Sequence, residues 1–183
     1  MRWNSFIAGF VAAIVLALVI ALVVILSGAY NVAATDRHNP IAAWAFETTF
    51  ENSVSRQASA IAAPELTPAM VQAGAGEYKA MCAQCHGGIG EERAGFAQGM
   101  MPRPPALAAS AEHLSASEVF WLVKHGVKMS GMPAFGPTHD DEVVWNIAAF
   151  VKAMTGMSAD RYAAYGAGEE GGHHHAAGEG HGH

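Results

Sequence analysis

The residues best suited to carry chemistry are two cysteines and a histidine that lie close together in the sequence. The segment Cys82-Ala83-Gln84-Cys85-His86 holds both cysteines of the chain. Two thiols about one helical turn apart can each add to a vinyl group of the same porphyrin, and the adjacent histidine can then bind the iron as its proximal ligand. The pattern therefore predicts haem c, attached covalently, with one haem per chain because the motif occurs once.

Three other uses of these residues account for the pattern less well. A thioredoxin-like site places its cysteines at the start of a helix that follows a strand, whereas a helix is expected to lead into this motif. A structural zinc site takes four ligands, and the chain has no second cysteine pair to supply them. A simple disulfide would leave His86 without a role. The haem interpretation uses all three residues.

Iron that only transfers electrons needs a sixth ligand, and in cytochromes c a methionine commonly takes that position opposite histidine. The nearby methionines are Met100, Met101, Met129 and Met132. Of these, Met132 lies in Gly131-Met132-Pro133, where glycine and proline favour a tight loop over a helix. The sequence therefore predicts His86 and Met132 as the two axial ligands of the iron.

Three amphipathic stretches predict the elements that position these ligands. The first helix begins at Thr67-Pro68 and runs toward the cysteines. The second begins at Ser115, which forms a capping box with Glu118. The third begins near Asp140-Asp141, where acidic side chains suit the positive end of a helix. No segment alternates polar and apolar residues with a period of two, so the predicted fold class is all-α.

An apolar segment near the N-terminus predicts a membrane anchor. Residues 7–26 are all apolar, counting Gly9, and no charged residue lies between Arg2 and Asp36. Twenty helical residues at about 1.5 Å each span the roughly 30 Å hydrocarbon core of a bilayer. A cleaved signal peptide has a shorter apolar region of about 7–15 residues, so retention is expected, although the small residues Ser27-Gly28-Ala29 are compatible with cleavage. Arg2 favours a cytoplasmic N-terminus.

Composition divides the chain into four segments, which are an anchor (1–27), a juxtamembrane arm (28–64), a haem domain (65–157) and a tail (158–183). The arm contains a short helix predicted to begin at Asn39-Pro40. The tail is rich in glycine, glutamate and histidine, so it either binds a divalent metal ion or is solvated without a site. The tail histidines are His173, His174, His175, His181 and His183.

The charge of the chain argues against one class of partner. The formal net charge is −6 at pH 7, with 10 Lys and Arg against 16 Asp and Glu. A nucleic-acid-binding surface needs clustered lysine and arginine, and the sequence contains no such cluster. No nucleic-acid partner is therefore expected.

The motifs together resemble those of class I cytochromes c over about residues 67–157. The resemblance rests on Gly74, Tyr78, the Cys82–His86 motif, the Gly131–Gly136 loop and an aromatic residue in the last helix. It implies a small cytochrome c fold, in which about three core helices surround a covalent haem. It also implies that the first and last helices cross at a glycine. Gly74 and Tyr78 would then meet Phe150 and either Trp145 or Ile147.

The resemblance also implies that a proline carbonyl orients the proximal histidine and fixes its tautomer. Pro104 and Pro105 both match that role, and Pro105 is the residue we assign. In such a protein the cofactor carries the chemistry, while the polypeptide sets potential, access and docking.

These observations predict an electron carrier and not an enzyme. The expected protein is a single-pass inner-membrane cytochrome whose haem domain faces the periplasm and exchanges single electrons between a redox donor and a redox acceptor protein. Three alternatives remain open at this point. The chain could be a haem subunit of a larger membrane dehydrogenase or oxidase, a haem enzyme or sensor with a labile sixth ligand, or a metal-handling module centred on the tail.

Overall fold

The computed structural model describes residues 3–165, which form helices and no strand, so the predicted all-α class is confirmed for this part of the chain. The chain separates into one unit that ends at Arg37 and a second that begins at His38. The helices in chain order are α1 (Trp3–Ser27), α2 (Pro40–Ala58), α3 (Pro68–Glu77), α4 (Ala83–His86), α5 (Leu107–Ser110), α6 (Ala116–His125), α7 (Asp141–Ala153) and α8 (Ala159–Ala164). A π-helical turn (Tyr78–Cys82) joins α3 to α4, and a 3-10 turn (Gly95–Gly99) precedes α5.

The first unit consists of α1 and a short connection. The helix has 25 residues, none of them buried, and its mean hydropathy reaches 3.3 over an 18-residue window. A helix of this length extends for about 37 Å, which exceeds the thickness of a bilayer core. Its length and composition would therefore let α1 cross a membrane.

The second unit begins its helices where the sequence predicts. The side chains of Asn39 and Thr67 each accept a hydrogen bond from the backbone N–H three residues later, before α2 and α3. Ser115 and Glu118 form the predicted reciprocal capping box of α6. The last predicted core helix begins at Asp141. All four predicted starts are confirmed. Capping side chains satisfy backbone donors that the first turn of α2, α3 and α6 leaves free. In α7, acidic residues place negative charge at the positive end of the helix.

The core of the second unit is the crossing of α3 and α7. A side chain on Gly74 would have its Cβ only 1.8 Å from the backbone oxygen of Asn146, so the two backbones touch at this glycine. One turn later, the fully buried rings of Tyr78 and Phe150 lie 5.3 Å apart. Of the two alternatives left by the sequence, Ile147 lies at the crossing, since its backbone nitrogen would be 2.9 Å from the same Cβ.

The helices α6 and α2 complete the packing around this crossing. Trp145 does not face Gly74 but stacks on Phe120 of α6, with ring centroids 4.1 Å apart. The helix α2 packs on α6 and buries Val54 and Ala58. The segment that follows α2 is joined to α6 by the Ser117 hydroxyl, which donates to a backbone oxygen at 2.8 Å. The arm helix is therefore part of the same compact unit as the predicted haem domain.

A further helix, α8, lies where the sequence indicates the start of the tail. Ser158 caps this helix, and Tyr162 is fully buried, with its ring centroid 6.5 Å from that of Tyr78 and 6.1 Å from that of Phe150. The amine of Lys79 donates to the carbonyl oxygen of Tyr165. A helix of six residues with one buried side chain is too short to be predicted from the periodicity of its apolar residues.

We predict that Gly74→Ala lowers the free energy of unfolding by about 2–3 kcal/mol, because the added methyl would collide with rigid backbone rather than with a movable side chain. Gly76→Ala is the matched control in the same helix, since a Cβ there would meet no atom within 4 Å. Alanine is favoured over glycine in a helix by about 0.5–1 kcal/mol, so the control should be neutral or stabilised. Denaturant titration of both variants measures the difference, and equal stabilities would contradict the described crossing.

Candidate haem site

The two cysteines lie on a continuous helical path that leads out of the core. The helix α3 passes through the π-helical turn, which ends at Cys82, into α4, which holds Cys85 and His86. Cys82 is 8% exposed and belongs to the buried core, whereas Cys85 is half-buried. π-helical turns are rare and occur frequently at functional sites, so the turn that ends at Cys82 is consistent with a functional role for the motif. Both thiols are free of any disulfide.

Burial disfavours the ionised form of the first thiol. It raises the pKa of Cys82 to about 12, and the charges of Cys85 and Glu77 act in the same direction. A reactive or zinc-binding cysteine needs a lowered thiol pKa, because the thiolate is the nucleophile and the metal ligand. The surroundings of Cys82 therefore favour its protonated thiol.

His86 is oriented by a carbonyl group from a distant loop. Its Nδ1 lies 2.8 Å from the carbonyl oxygen of Pro105, one of the two prolines that the sequence indicates. Because a carbonyl can only accept, Nδ1 carries the hydrogen and Nε2 keeps its lone pair for a metal ion. The pKa of His86 is lowered, mainly by burial, so the neutral imidazole is favoured.

The turn that follows His86 is held by the helical core. The hydroxyl of Tyr78 donates to the carbonyl oxygen of Gly87 at 2.7 Å. Gly87 has a φ of 76°, a backbone conformation that suits glycine. A Cβ on Gly88 would lie 2.6 Å from the hydroxyl of Tyr162, so α8 packs directly against this turn. Tyr78 and Tyr162 therefore connect the helix crossing to the peptide next to His86.

Met132 lies in a tight loop between α6 and α7. Its N–H donates to the hydroxyl of Ser130 at 3.1 Å, and its carbonyl accepts from Val127 at 3.2 Å. Its side chain is half-buried and packs against the core cluster. Gly126, with a φ of 64°, allows the chain to leave α6 sharply, and a Cβ there would lie 2.6 Å from the backbone of Pro133.

The other methionines differ from Met132 in their surroundings. Met129 is 97% exposed and adopts a φ of 59°, so its side chain points away from the core. The terminal methyl of Met100 fills the space that a Cβ on Gly131 would need, at 2.0 Å from that position. Met101 is half-buried next to Pro102. Met132 is the one of these four that packs against the core cluster.

An open cavity of about 390 Å³ lies beside His86. Its lining includes His86, two arginines (Arg93 and Arg103) and two glutamates (Glu91 and Glu92).

The sequence-based prediction did not single out Arg93 or Tyr162, because no motif marks an isolated arginine or a tyrosine outside the recognised pattern.

The donors present fit a covalently attached haem. They comprise two unpaired thiols one turn apart, an imidazole with Nε2 free for a metal ion and a loop methionine whose thioether is a donor that haem iron also accepts. The described residues contain no group of three or more His, Cys, Asp or Glu side chains that could hold a metal ion by themselves. The sequence leaves metal binding by the tail histidines open, and these residues lie outside the described part of the chain: His173, His174, His175, His181 and His183.

Comparison with known proteins agrees with this geometry. Residues 69–151 match the family model described as cytochrome C oxidase, cbb3-type, subunit III. A search of curated proteins finds no match to the chain. The matched range contains the cysteine motif, Pro105 and Met132, and it leaves out α1, α2 and α8. Residues 69–151 therefore form a c-type cytochrome domain, a type of domain that uses haem for electron transfer.

Proposed function

We propose that the chain is a membrane-tethered cytochrome c with one covalent haem, which transfers single electrons between redox partner proteins on the periplasmic side of the inner membrane. The observation that carries this proposal is the contact between His86 Nδ1 and the Pro105 carbonyl, which leaves Nε2 for iron. A haem bound here would supply the one-electron couple between ferrous and ferric iron. The protein contributes the ligands and their orientation.

The proposed ligands would bind the haem from its two faces, and the two cysteines would attach it covalently. Cys82 and Cys85 would form the thioether bonds, and His86 would bind the iron from the proximal side. Met132 would bind from the opposite side, which keeps small molecules away from the metal and raises the potential. The hydrogen bonds of Ser130 and Val127 hold the Met132 backbone, so the thioether needs little reorganisation when the charge on the iron changes.

The proposed organisation has an anchor (1–27), an arm (28–64), a haem domain and a C-terminal tail. The packing of Tyr162 against Tyr78 and Phe150 supports a haem domain that extends through Tyr165, with the tail beginning after it. The anchor would confine electron transfer to partners at the membrane. Arg2 supports a cytoplasmic N-terminus, which leaves the haem domain on the other side.

A second candidate function is a fixed haem subunit of a terminal oxidase. The description of the matched family, subunit III of a cbb3-type oxidase, favours this possibility. Extraction of the native membrane in mild detergent, followed by size-exclusion chromatography with detection of haem absorbance, distinguishes the two candidates. A free carrier elutes near its own mass plus detergent, whereas a fixed subunit elutes with its complex.

We expect one haem per chain that stays with the polypeptide on acid–acetone extraction, because two thioether bonds attach it. The pyridine haemochrome spectrum and the intact mass of the purified protein measure the attachment and the stoichiometry. Cys82→Ala with Cys85→Ala should abolish covalent attachment. Recovery of free haem in the organic phase from the unmodified protein would contradict the proposal.

We expect Met132→Ala to lose the thioether-to-iron absorption band of the ferric protein and to have a lower midpoint potential, because a thioether ligand favours ferrous iron. Met129→Ala is the matched control, since this side chain is 97% exposed in the same loop. It should keep both properties. Loss of the band in the control, with retention in Met132→Ala, would assign the sixth ligand to Met129 instead.

We expect the mature protein to retain residues 1–27 and to resist extraction by high salt, because the apolar stretch of residues 7–26 is longer than the apolar region of an ordinary signal peptide. Intact-mass measurement of detergent-extracted protein shows whether cleavage has occurred. A chain that begins near Tyr30 and is released by a salt wash would be a soluble cytochrome, and the proposed tether would be excluded.

A further inference from the structure

The segment that carries the Pro105 carbonyl has few backbone N–H groups that could form hydrogen bonds to hold it in place. Residues 102–105 read Pro-Arg-Pro-Pro, so Arg103 is their one residue with a backbone N–H. The segment lies between a 3-10 turn and α5 and is not part of a helix. Its position must therefore be fixed mainly by hydrogen bonds to its carbonyl oxygens.

One such bond comes from Arg93, seven residues after His86 in the chain. Its Nη1 donates to the carbonyl oxygen of Pro104, and the next carbonyl, of Pro105, accepts from His86 Nδ1. The guanidinium is half-buried, and Arg93 lines the cavity next to the imidazole. A hydrogen bond from a charged donor is stronger than a neutral one, so this contact is well suited to restrain a segment that has a single backbone N–H.

We propose that Arg93 is a positioning residue for the proximal histidine, because it fixes the Pro104–Pro105 segment whose carbonyl orients His86. The inference rests on the proposed ligation of iron by His86. It assigns to Arg93 a role that neither the cysteine motif nor the match to the family indicates. The orientation of His86 then depends on two successive contacts, from Arg93 to Pro104 and from Pro105 to the imidazole.

The charge of Arg93 has a second consequence at the same site. A positive charge beside the imidazole disfavours additional positive charge there. The same repulsion would disfavour ferric relative to ferrous iron. Arg103, Glu91 and Glu92 also line the cavity, so the contribution of Arg93 must be separated from theirs.

The test compares the full-length holoprotein with Arg93→Met, Arg93→Lys and Arg103→Met. Arg93→Met keeps an unbranched stem but removes both the donor and the charge, whereas Arg93→Lys keeps a donor and the charge. Arg103→Met is the matched control, because Arg103 is an exposed arginine that lines the same cavity. Proton NMR measures the exchange of the His86 Nδ1–H with solvent, and redox titration measures the midpoint potential.

We expect the exchange of the His86 Nδ1–H to be roughly tenfold faster in Arg93→Met, a scale set by one hydrogen bond from a charged donor. The midpoint potential of this variant should also shift to lower values. Arg93→Lys should restore most of both properties, and Arg103→Met should leave the exchange rate unchanged. If Arg93→Met does not accumulate, Arg93→Leu takes its place, because its side chain also lacks a donor and a charge.

Two results would overturn the inference. One is an unchanged exchange rate in Arg93→Met, which would leave Arg93 with an effect of charge alone. The other is an equal increase in Arg103→Met, which would reflect general opening of the cavity. Failure of the proposed function gives a different result, because the unmodified protein would then lack the hyperfine-shifted signals of an iron-bound histidine.

Discussion

The contact between α3 and α7 at Gly74 is the constraint on which the arrangement of the site depends. Only a residue without a side chain lets α3 approach the Asn146 backbone this closely. The approach brings Tyr78 onto Phe150, and the hydroxyl of Tyr78 then reaches the Gly87 carbonyl. A helix crossing thus determines the position of the peptide that follows His86, although the crossing itself contains no ligand.

The proximal histidine is held from two directions. The core holds the turn after His86 through Tyr78 and through α8, whereas the proline segment holds the imidazole through the Pro105 carbonyl. Fixing both the backbone and the ring leaves the imidazole little freedom to rotate. A ligand that moves little when iron changes its charge favours rapid electron transfer, and a fixed Nδ1 hydrogen bond also tunes the basicity of Nε2.

Much of this arrangement can be predicted from the sequence, because it depends on local signals. The starts of α2, α3, α6 and α7 follow from single capping residues, and the cysteine motif specifies its chemistry by spacing alone. Pro104 and Pro105 both match the orienting role in the sequence, and the assigned residue, Pro105, is the one that contacts His86. The structure shows Pro105 on His86 and Pro104 on Arg93.

The features that sequence alone did not predict depend on contacts between distant segments. The helix α8 forms around one side chain, Tyr162, whose burial requires Tyr78 and Phe150 from two other elements. The role of Arg93 likewise depends on a loop eleven residues away. In both cases the residue has no periodic or motif context, so only the folded arrangement identifies it.

The central claim is that a single haem in this chain is six-coordinate and serves only electron transfer. The most direct measurement is the low-temperature electron paramagnetic resonance spectrum of the ferric full-length protein, recorded with and without added cyanide. The account predicts a low-spin spectrum that cyanide changes only slowly, because Met132 occupies the sixth position. A high-spin spectrum with rapid conversion by cyanide would show an open site and would contradict the account in favour of a haem enzyme or a sensor.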